Sequence, residues 1–337
     1  MKAIVVHNPG DWKVENVPVP TIPDNWALIR VSMAAFCATD IEVLKGKIKA
    51  NYPIIPGHEW CGVVEQVNGG DKKWVGRRVV GSNDVCCLTC RACRSGMWRN
   101  CSEFGEIGFA YNGAFAEYMV VPQYALYELP DEISNEQAAL LEPAGVAFGT
   151  LEKVNAKLGD SLLIIGAGPI GLNMLSMSKA AGMINITVID KNENRLSLAS
   201  KMGADHTLRF SDECDIRSRI GELYPEGPDV VIDCTGSEQC VKLALDVAPK
   251  MGRVGFAGYG KGRDMKVHYD DIHIKDLRVA GTGNNWNVLE KTMRLAQYGK
   301  LNTTCMITHR FNLNDYDEAV KLAETYENGY VKAVFTL

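Results

Sequence analysis

Long apolar runs are missing from this chain, and nothing in it approaches the ~20 consecutive apolar residues that a membrane helix needs. A basic excess is missing too. Lys and Arg total 36 against 41 Asp and Glu, a net charge of −5, so the electrostatic footprint of a nucleic-acid binder is absent. The opening stretch "MKAIVVHNPGDWKVE" is interrupted by polar residues too soon for a secretory signal. There is no internal repeat and no low-complexity segment. These absences point to a cytoplasmic protein whose partner is neither membrane nor nucleic acid. Its 337 residues, 46% hydrophobic, suffice for one large domain or two ordinary ones.

A complete disulfide framework is also excluded. Eleven cysteines cannot all pair, a reducing cytosol rarely holds disulfides, and a chain this long buries enough core to do without them. Metal ligands and ordinary buried thiols are the readings left. Five cysteines crowd into "CCLTCRACRSGMWRNC" (86–101), where Cys87, Cys90, Cys93 and Cys101 fall as C-x2-C-x2-C-x7-C. Four thiolates at that spacing can close a tetrahedral shell around zinc with no position open, which makes a structural site. Cys86 adds a fifth sulfur, but Cys87 fits the spacing better.

Upstream, "FCATD" (36–40) and "PGHEW" (56–60) supply Cys37, Asp40, His58 and Glu59. A thiolate, an imidazole and a carboxylate form the mixed shell that an open, reactive zinc site uses. A lone Cys and a lone His are more often core residues. Here the pair gains weight from "LLEPAG" (140–145), which sets Glu142 in an apolar context where an unpaired carboxylate is costly. A helix N-terminal acid is the other reading of Glu142.

Farther on, "SLLIIGAGPIG" (161–171) reads as a buried strand running into G-x-G-x-x-G at Gly166, Gly168 and Gly171, with Pro169 and Ile170 inside the motif. An apolar helix follows, then the strand "ITVID", which closes on Asp190. This is the dinucleotide fingerprint in its required context: glycines for the tight turn and close backbone approach, and the pyrophosphate on a helix N-terminus. Asp190 can accept from ribose hydroxyls and would repel a 2′-phosphate, favouring NAD over NADP, although Lys191 and Arg195 lie nearby. Strands and helices keep alternating through "DVVIDCTG", "GRVGFAGYG" and "LRVAGTG" (277–283), the pattern of a parallel, doubly wound sheet. Ligands gather at the carboxyl ends of such strands, which singles out Cys234, Thr235, Gly258, Thr282 and Asn284 as cofactor-binding candidates. Ordinary turns are the alternative there.

The order "CATD", "GHE", the cysteine quartet, "EP" and "GAGPIG" resembles the zinc-dependent medium-chain dehydrogenase family, relatives of the alcohol and sorbitol dehydrogenases. The resemblance spans nearly the whole chain. It implies an α/β protein: a GroES-like, β-rich catalytic domain formed by 1–147 and 286–337, and a Rossmann domain with a doubly wound parallel sheet over 148–285. It further implies two zinc ions per chain, NAD, and assembly into a dimer or tetramer. Position by position, Cys37 and His58 are similar to ligands of the catalytic zinc. Glu59 and Glu142 are similar to carboxylates that reach the metal directly or through water. Thr39 resembles the residue that relays the hydroxyl proton, and Asp40 the acid that orients the zinc-binding histidine. Ala38 departs from the usual glycine, and no histidine stands out for the outer end of the relay. The implied reaction is reversible oxidation of an alcohol to a ketone. Glu142 favours the polyol branch, so the expected substrate is a polyol, sugar or cyclitol. "PGHEW" and 105–122 are also similar to stretches of aminocyclitol dehydrogenases such as 2-deoxy-scyllo-inosamine dehydrogenase. L-Threonine 3-dehydrogenase is the alternative.

Overall fold

The computed structural model describes residues 1–211, 215–282 and 288–337. The chain forms two compact units, one of Met1–Glu142, Asn285–Tyr298 and Thr303–Leu337, the other of Pro143–Asn284 and Gly299–Asn302. The division falls earlier than the expected boundary after 147. It lies inside a helix, where the residues after Glu142 pack with the second unit.

The first unit opens with the hairpin β1 (Lys2–Asn8) and β2 (Asp11–Asn16), then β3 (Trp26–Phe36), α1 (Ala38–Leu44), β4 (Glu59–Asn68) and β5 (Arg78–Gly81). A two-residue hairpin, β6 (Asp84–Val85) and β7 (Gly105–Glu106), encloses the short helix α2 (Arg91–Arg94). After it come β8 (Tyr118–Pro122), β9 (Leu126–Glu128) and α3 (Asn135–Ala139). Helix α4 (Leu141–Lys153) leads into the second unit, which alternates β10 (Ser161–Ile165), α5 (Pro169–Ala180), β11 (Ile184–Asp190), α6 (Glu193–Lys201), β12 (His206–Arg209) and α7 (Ile216–Leu223). It continues with β13 (Val230–Asp233), α8 (Glu238–Val247), β14 (Arg253–Phe256), α9 (Tyr269–Ile274) and β15 (Arg278–Gly281). The chain then returns to the first unit with α10 (Val288–Gln297), β16 (Ile307–Phe311), α11 (Tyr316–Thr325) and β17 (Lys332–Thr336).

In the first unit β3 is the spine. Its buried, mostly apolar residues pair antiparallel with β4, β8 and β17, within the order β16-β17-β3-β4-β5-β9. Phe36, Phe115, Tyr316 and Phe335 pack ring against ring at centroid separations of 5.3–6.4 Å, closing the core over this sheet. Each ring is almost fully buried and so contributes its whole apolar area.

The second unit is a six-stranded parallel sheet in the order β12-β11-β10-β13-β14-β15. Strand β10 reads "SLLII" without alternation because both of its faces are covered. The outer strand β12, "HTLR", buries only Leu208 and so carries no apolar pattern to announce it. No helix among the described residues is long and apolar enough to cross a membrane.

At the β10–α5 turn, a Cβ on Gly171 would lie 1.9 Å from the Gly166 carbonyl oxygen. Gly171→Ala is therefore expected to destabilise the fold by about 1–3 kcal/mol, as overpacking does. Urea denaturation measures it, and a wild-type midpoint would contradict this account of the turn.

Candidate functional site

Two groups of ligand atoms converge in the first unit. The first is the cysteine lobe. The sulfurs of Cys87, Cys90, Cys93 and Cys101 all lie within 4.8 Å of one another, and those of Cys87 and Cys101 are 3.5 Å apart. With Zn–S bonds of about 2.3 Å, tetrahedral sulfurs stand a little under 4 Å apart, so this spacing suits zinc. Backbone amides point at the sulfurs. Cys90 N–H donates to Cys87 Sγ at 3.3 Å, and Cys87 N–H to Cys101 Sγ at 3.4 Å. Amides of Cys93 and Ser102 hold the Cys90 thiol down at about 6. Cys86 stands outside the group, and burial pushes its thiol up to about 12. Burial raises the Cys93 thiol as well, so within the quartet the hydrogen bonds to sulfur favour Cys87 and Cys90 as thiolates.

The second group is Cys37, His58 and Glu59, again within 4.8 Å of one another. Cys37 follows β3 directly and is the N-cap of α1. His58 and Glu59 enter β4 after Gly57, whose φ of +99° and crowding by the Phe115 backbone N, 2.9 Å from a built Cβ, exclude other side chains. Asp40 serves both ligands. Its Oδ2 accepts from the Cys37 N–H at 2.9 Å, and its Oδ1 lies 3.3 Å from His58 Nδ1. Burial works against a charged His58, but the facing Asp40 and Cys37 more than reverse this and raise its pKa well above the ordinary value. Thr39 Oγ1 lies 3.4 Å from Cys37 Sγ.

Sequence reading missed Lys332. Glu59 is fully buried, and the equally buried Lys332 ammonium sits 2.7 Å from its Oε1 and 2.6 Å from its Oε2. Burial alone would drive Lys332 towards neutrality. The Glu59 carboxylate, with Cys37 and Asp40 nearby, overcomes it and raises the amine above its usual value. A lysine inside the apolar strand "VKAVF" was the available signal.

Glu142 stands outside the tight trio. Burial raises its carboxyl to about 7; His58 and Lys332 lower it, while Glu59 and Glu106 raise it further. It therefore belongs to the same electrostatic neighbourhood. Asp40, Glu59 and the Cys37 sulfur gather around one buried lysine, and Cys37, His58 and Glu59 bring a sulfur, an imidazole nitrogen and a carboxylate oxygen together. That donor set fits zinc.

In the second unit the glycine loop has the geometry of a phosphate cradle. Gly166 takes φ +107°, Gly168 caps α5, and Pro169 occupies its first turn, followed by Ile170. Asp190 accepts from the Ala167 N–H at 2.7 Å and the Asn192 N–H at 2.8 Å, locking the loop to the end of β11. Arg195 Nη1 lies 4.0 Å from a Cβ built on Gly168. Past β13, Cys234 donates to the Ile165 carbonyl, and Thr235 Oγ1 bonds Asp233 at 2.6 Å. A Cβ on Gly258 would lie 2.0 Å from the Gly236 N. Thr282 Oγ1 meets Thr150 Oγ1 at 2.8 Å. Asn284 lies outside the described residues.

Residues 23–131 match the alcohol dehydrogenase GroES-like domain, and residues 169–297 match the zinc-binding dehydrogenase family. L-Threonine 3-dehydrogenase of Anaeromyxobacter dehalogenans (strain 2CP-C) is 30% identical over 341 residues, covering 98% of each chain. The chain belongs to the zinc-dependent medium-chain dehydrogenases. Two solved members superpose on this dehydrogenase over its whole length and 99% of their own: a zinc-binding dehydrogenase from Sinorhizobium meliloti 1021 bound to NADP (27% identity, TM-score 0.94) and 2R,3R-butanediol dehydrogenase from Bacillus subtilis (27% identity, TM-score 0.90). This dehydrogenase is thus an oxidoreductase acting on CH–OH donors, with zinc and a nicotinamide dinucleotide as its cofactors.

Two predictions follow from these sites. Cys93→Ser opens the quartet and should lower the zinc content measured by atomic absorption by one ion per chain, while the Cys37 group keeps its own. Lys332→Met leaves the buried Glu59 uncompensated and should cost about 3–5 kcal/mol in metal-free protein. Urea denaturation after chelation reads this loss, and an unchanged midpoint would show that the pair contributes nothing.

Proposed function

We propose that the dehydrogenase oxidises a secondary hydroxyl of a polyol, sugar or cyclitol, reversibly, with NAD as the hydride acceptor. The observation that carries this reading is the convergence of Cys37, His58 and Glu59, with Glu142 as a second carboxylate in the same neighbourhood. An acid-rich site suits a substrate with several hydrogen-bond donors. Cys37, His58 and one or both glutamates would hold a zinc ion, which would supply the Lewis acidity that lowers the pKa of a bound hydroxyl. Thr39 relays the hydroxyl proton towards solvent, accepting it as it gives up its own, an assignment supported by its hydroxyl lying 3.4 Å from Cys37 Sγ. Asp40 orients the His58 ring through Nδ1, leaving Nε2 as the ligand nitrogen. Lys332 bonds the buried Glu59 carboxylate at 2.7 Å where neither reaches water. Asp190 selects NAD, since a 2′-phosphate would meet its carboxylate.

L-Threonine is the second reading, favoured by relatives of that name that are 30% and 32% identical. It shares with the polyols a secondary hydroxyl beside a second polar substituent. We also propose that copies assemble, as a dimer or tetramer. Among the described residues the outer edge of strand β15 pairs with no other strand and Val279 is exposed on it, and α9 presents the exposed Tyr269 and Ile274. Light scattering on the purified protein at micromolar concentration tests this, and a monomer would refute it.

The substrate test is NADH formation by zinc-loaded enzyme across sugar alcohols, cyclitols, aminocyclitols, vicinal diols and L-threonine. Turnover of a polyol or cyclitol, lost in Thr39→Val by about 100-fold or more, as expected for a residue positioned for proton transfer, supports the reading. Turnover of threonine alone replaces it with the second. NADP used as well as NAD would refute the role given to Asp190.

A further inference from the structure

The peptide units around His58 and Glu59 raise a separate question: what holds them in register with Cys37? His58 and Trp60 are both buried. The His58 carbonyl therefore needs a donor, and the Trp60 indole N–H an acceptor, inside the protein. One side chain meets both needs. Asn83 Nδ2 donates to the His58 carbonyl oxygen at 2.5 Å, and Trp60 Nε1 donates to Asn83 Oδ1 at 3.1 Å. Asn83 is itself buried. Its amide orientation is fixed by these partners, because the reverse would set oxygen against oxygen and N–H against N–H.

The two bonded groups flank Glu59. The amide thus spans the residues whose side chains face Asp40 and Lys332. On the other side of His58 the left-handed Gly57 fixes the chain. The mount of Asn83 is firm as well. Its carbonyl accepts from Ile107 N–H at 3.0 Å, and the next residue, Asp84, pairs with Glu106 across the β6–β7 hairpin. Arg99 reaches both acids of that pair, 3.8 Å from Asp84 and 3.7 Å from Glu106. Tyr124 Oη accepts from Cys86 N–H and donates to Cys86 C=O, at 2.7 and 3.2 Å.

We propose that Asn83 is a positioning residue for the catalytic metal: its carboxamide fixes the His58–Glu59–Trp60 segment so that His58 and Glu59 meet Cys37 in one donor set. The inference rests on the reading of Cys37, His58 and Glu59 as metal ligands. No other side chain of similar size carries a donor and an acceptor at this reach. Asp lacks the donor, Leu lacks both, and Ser is too short.

The test uses the full-length protein with cobalt in place of the catalytic zinc, read by the Co²⁺ visible bands and by competition with a chelator. Asn83→Asp puts an oxygen against the His58 carbonyl. It is expected to weaken metal binding at the Cys37 group by about 10–100-fold, the usual cost of losing a group that orients a ligand, and to shift the cobalt bands, while the cysteine lobe keeps its zinc. Trp60→Phe keeps a ring in the core and removes only the donor to Asn83. It is expected to shift the bands in the same direction with a smaller, few-fold loss of affinity. Wild-type affinity and bands in both variants would overturn the proposal. Should Asn83→Asp fail to fold, Trp60→Phe decides alone, and unchanged bands there overturn it. A wild-type protein that holds only the lobe metal sinks the metal reading and this proposal together. Two metals in wild type with unaltered variants sinks this proposal alone.

Discussion

The buried ion pair between Glu59 and Lys332 constrains the architecture of the catalytic unit more than any other contact. Removing a carboxylate and an ammonium from water costs several kcal/mol each, so neither is tolerated there without the other. Sheet register brings them together. Ala333 pairs with Phe36 on β3, and Ala35 on β3 pairs with Glu59 on β4, so β3 lies between the two charged residues' strands. The chain must return from its nucleotide unit to lay down β17, and it does so 273 residues after Glu59. The C-terminal segment is thereby part of the metal neighbourhood rather than an appendage to it.

From that pair the charge balance follows. Asp40 uses one oxygen to hold the Cys37 amide and the other to face His58, so one carboxylate governs two of the three converging ligands. Lys332 faces Glu59, His58 is raised well above its ordinary pKa beside Asp40 and Cys37, and burial lifts Glu142 to about 7, so two cationic groups sit among these acids. The cysteine lobe answers the same problem differently. It has no lysine, and amide N–H groups directed at sulfur lower the cost of its thiolates.

Much of this was legible in one dimension. Ligand spacing exposed the quartet, because four cysteines within fifteen residues must fold around something. The strand–glycine–helix–acid order exposed the nucleotide unit, because a Cβ at Gly171 would lie 1.9 Å from the Gly166 carbonyl oxygen and the turn tolerates no other residue. Both signals are local. Strand β12 escaped notice for the opposite reason: an outer strand with one buried residue has no apolar rhythm. Lys332 and Asn83 escaped because each is an ordinary residue whose partner lies far away in the chain.

The sequence by itself determined the inventory: which residues could ligate metal, which loop could bind a dinucleotide, and that two kinds of unit alternate along the chain. Those properties depend on residue type and on spacings of a few residues, over which backbone geometry is nearly fixed. Tertiary structure alone decided which carboxylate comes within 4.8 Å of the Cys37 and His58 ligand atoms. Glu59 falls within the donor group and Glu142 stands back from it. It also decided that a lysine from the last strand neutralises Glu59, and that an asparagine at the root of the cysteine lobe ties down the ligand segment. Those choices depend on strand register and on the burial of unsatisfied polar groups, and both exist only once distant parts of the chain have packed together.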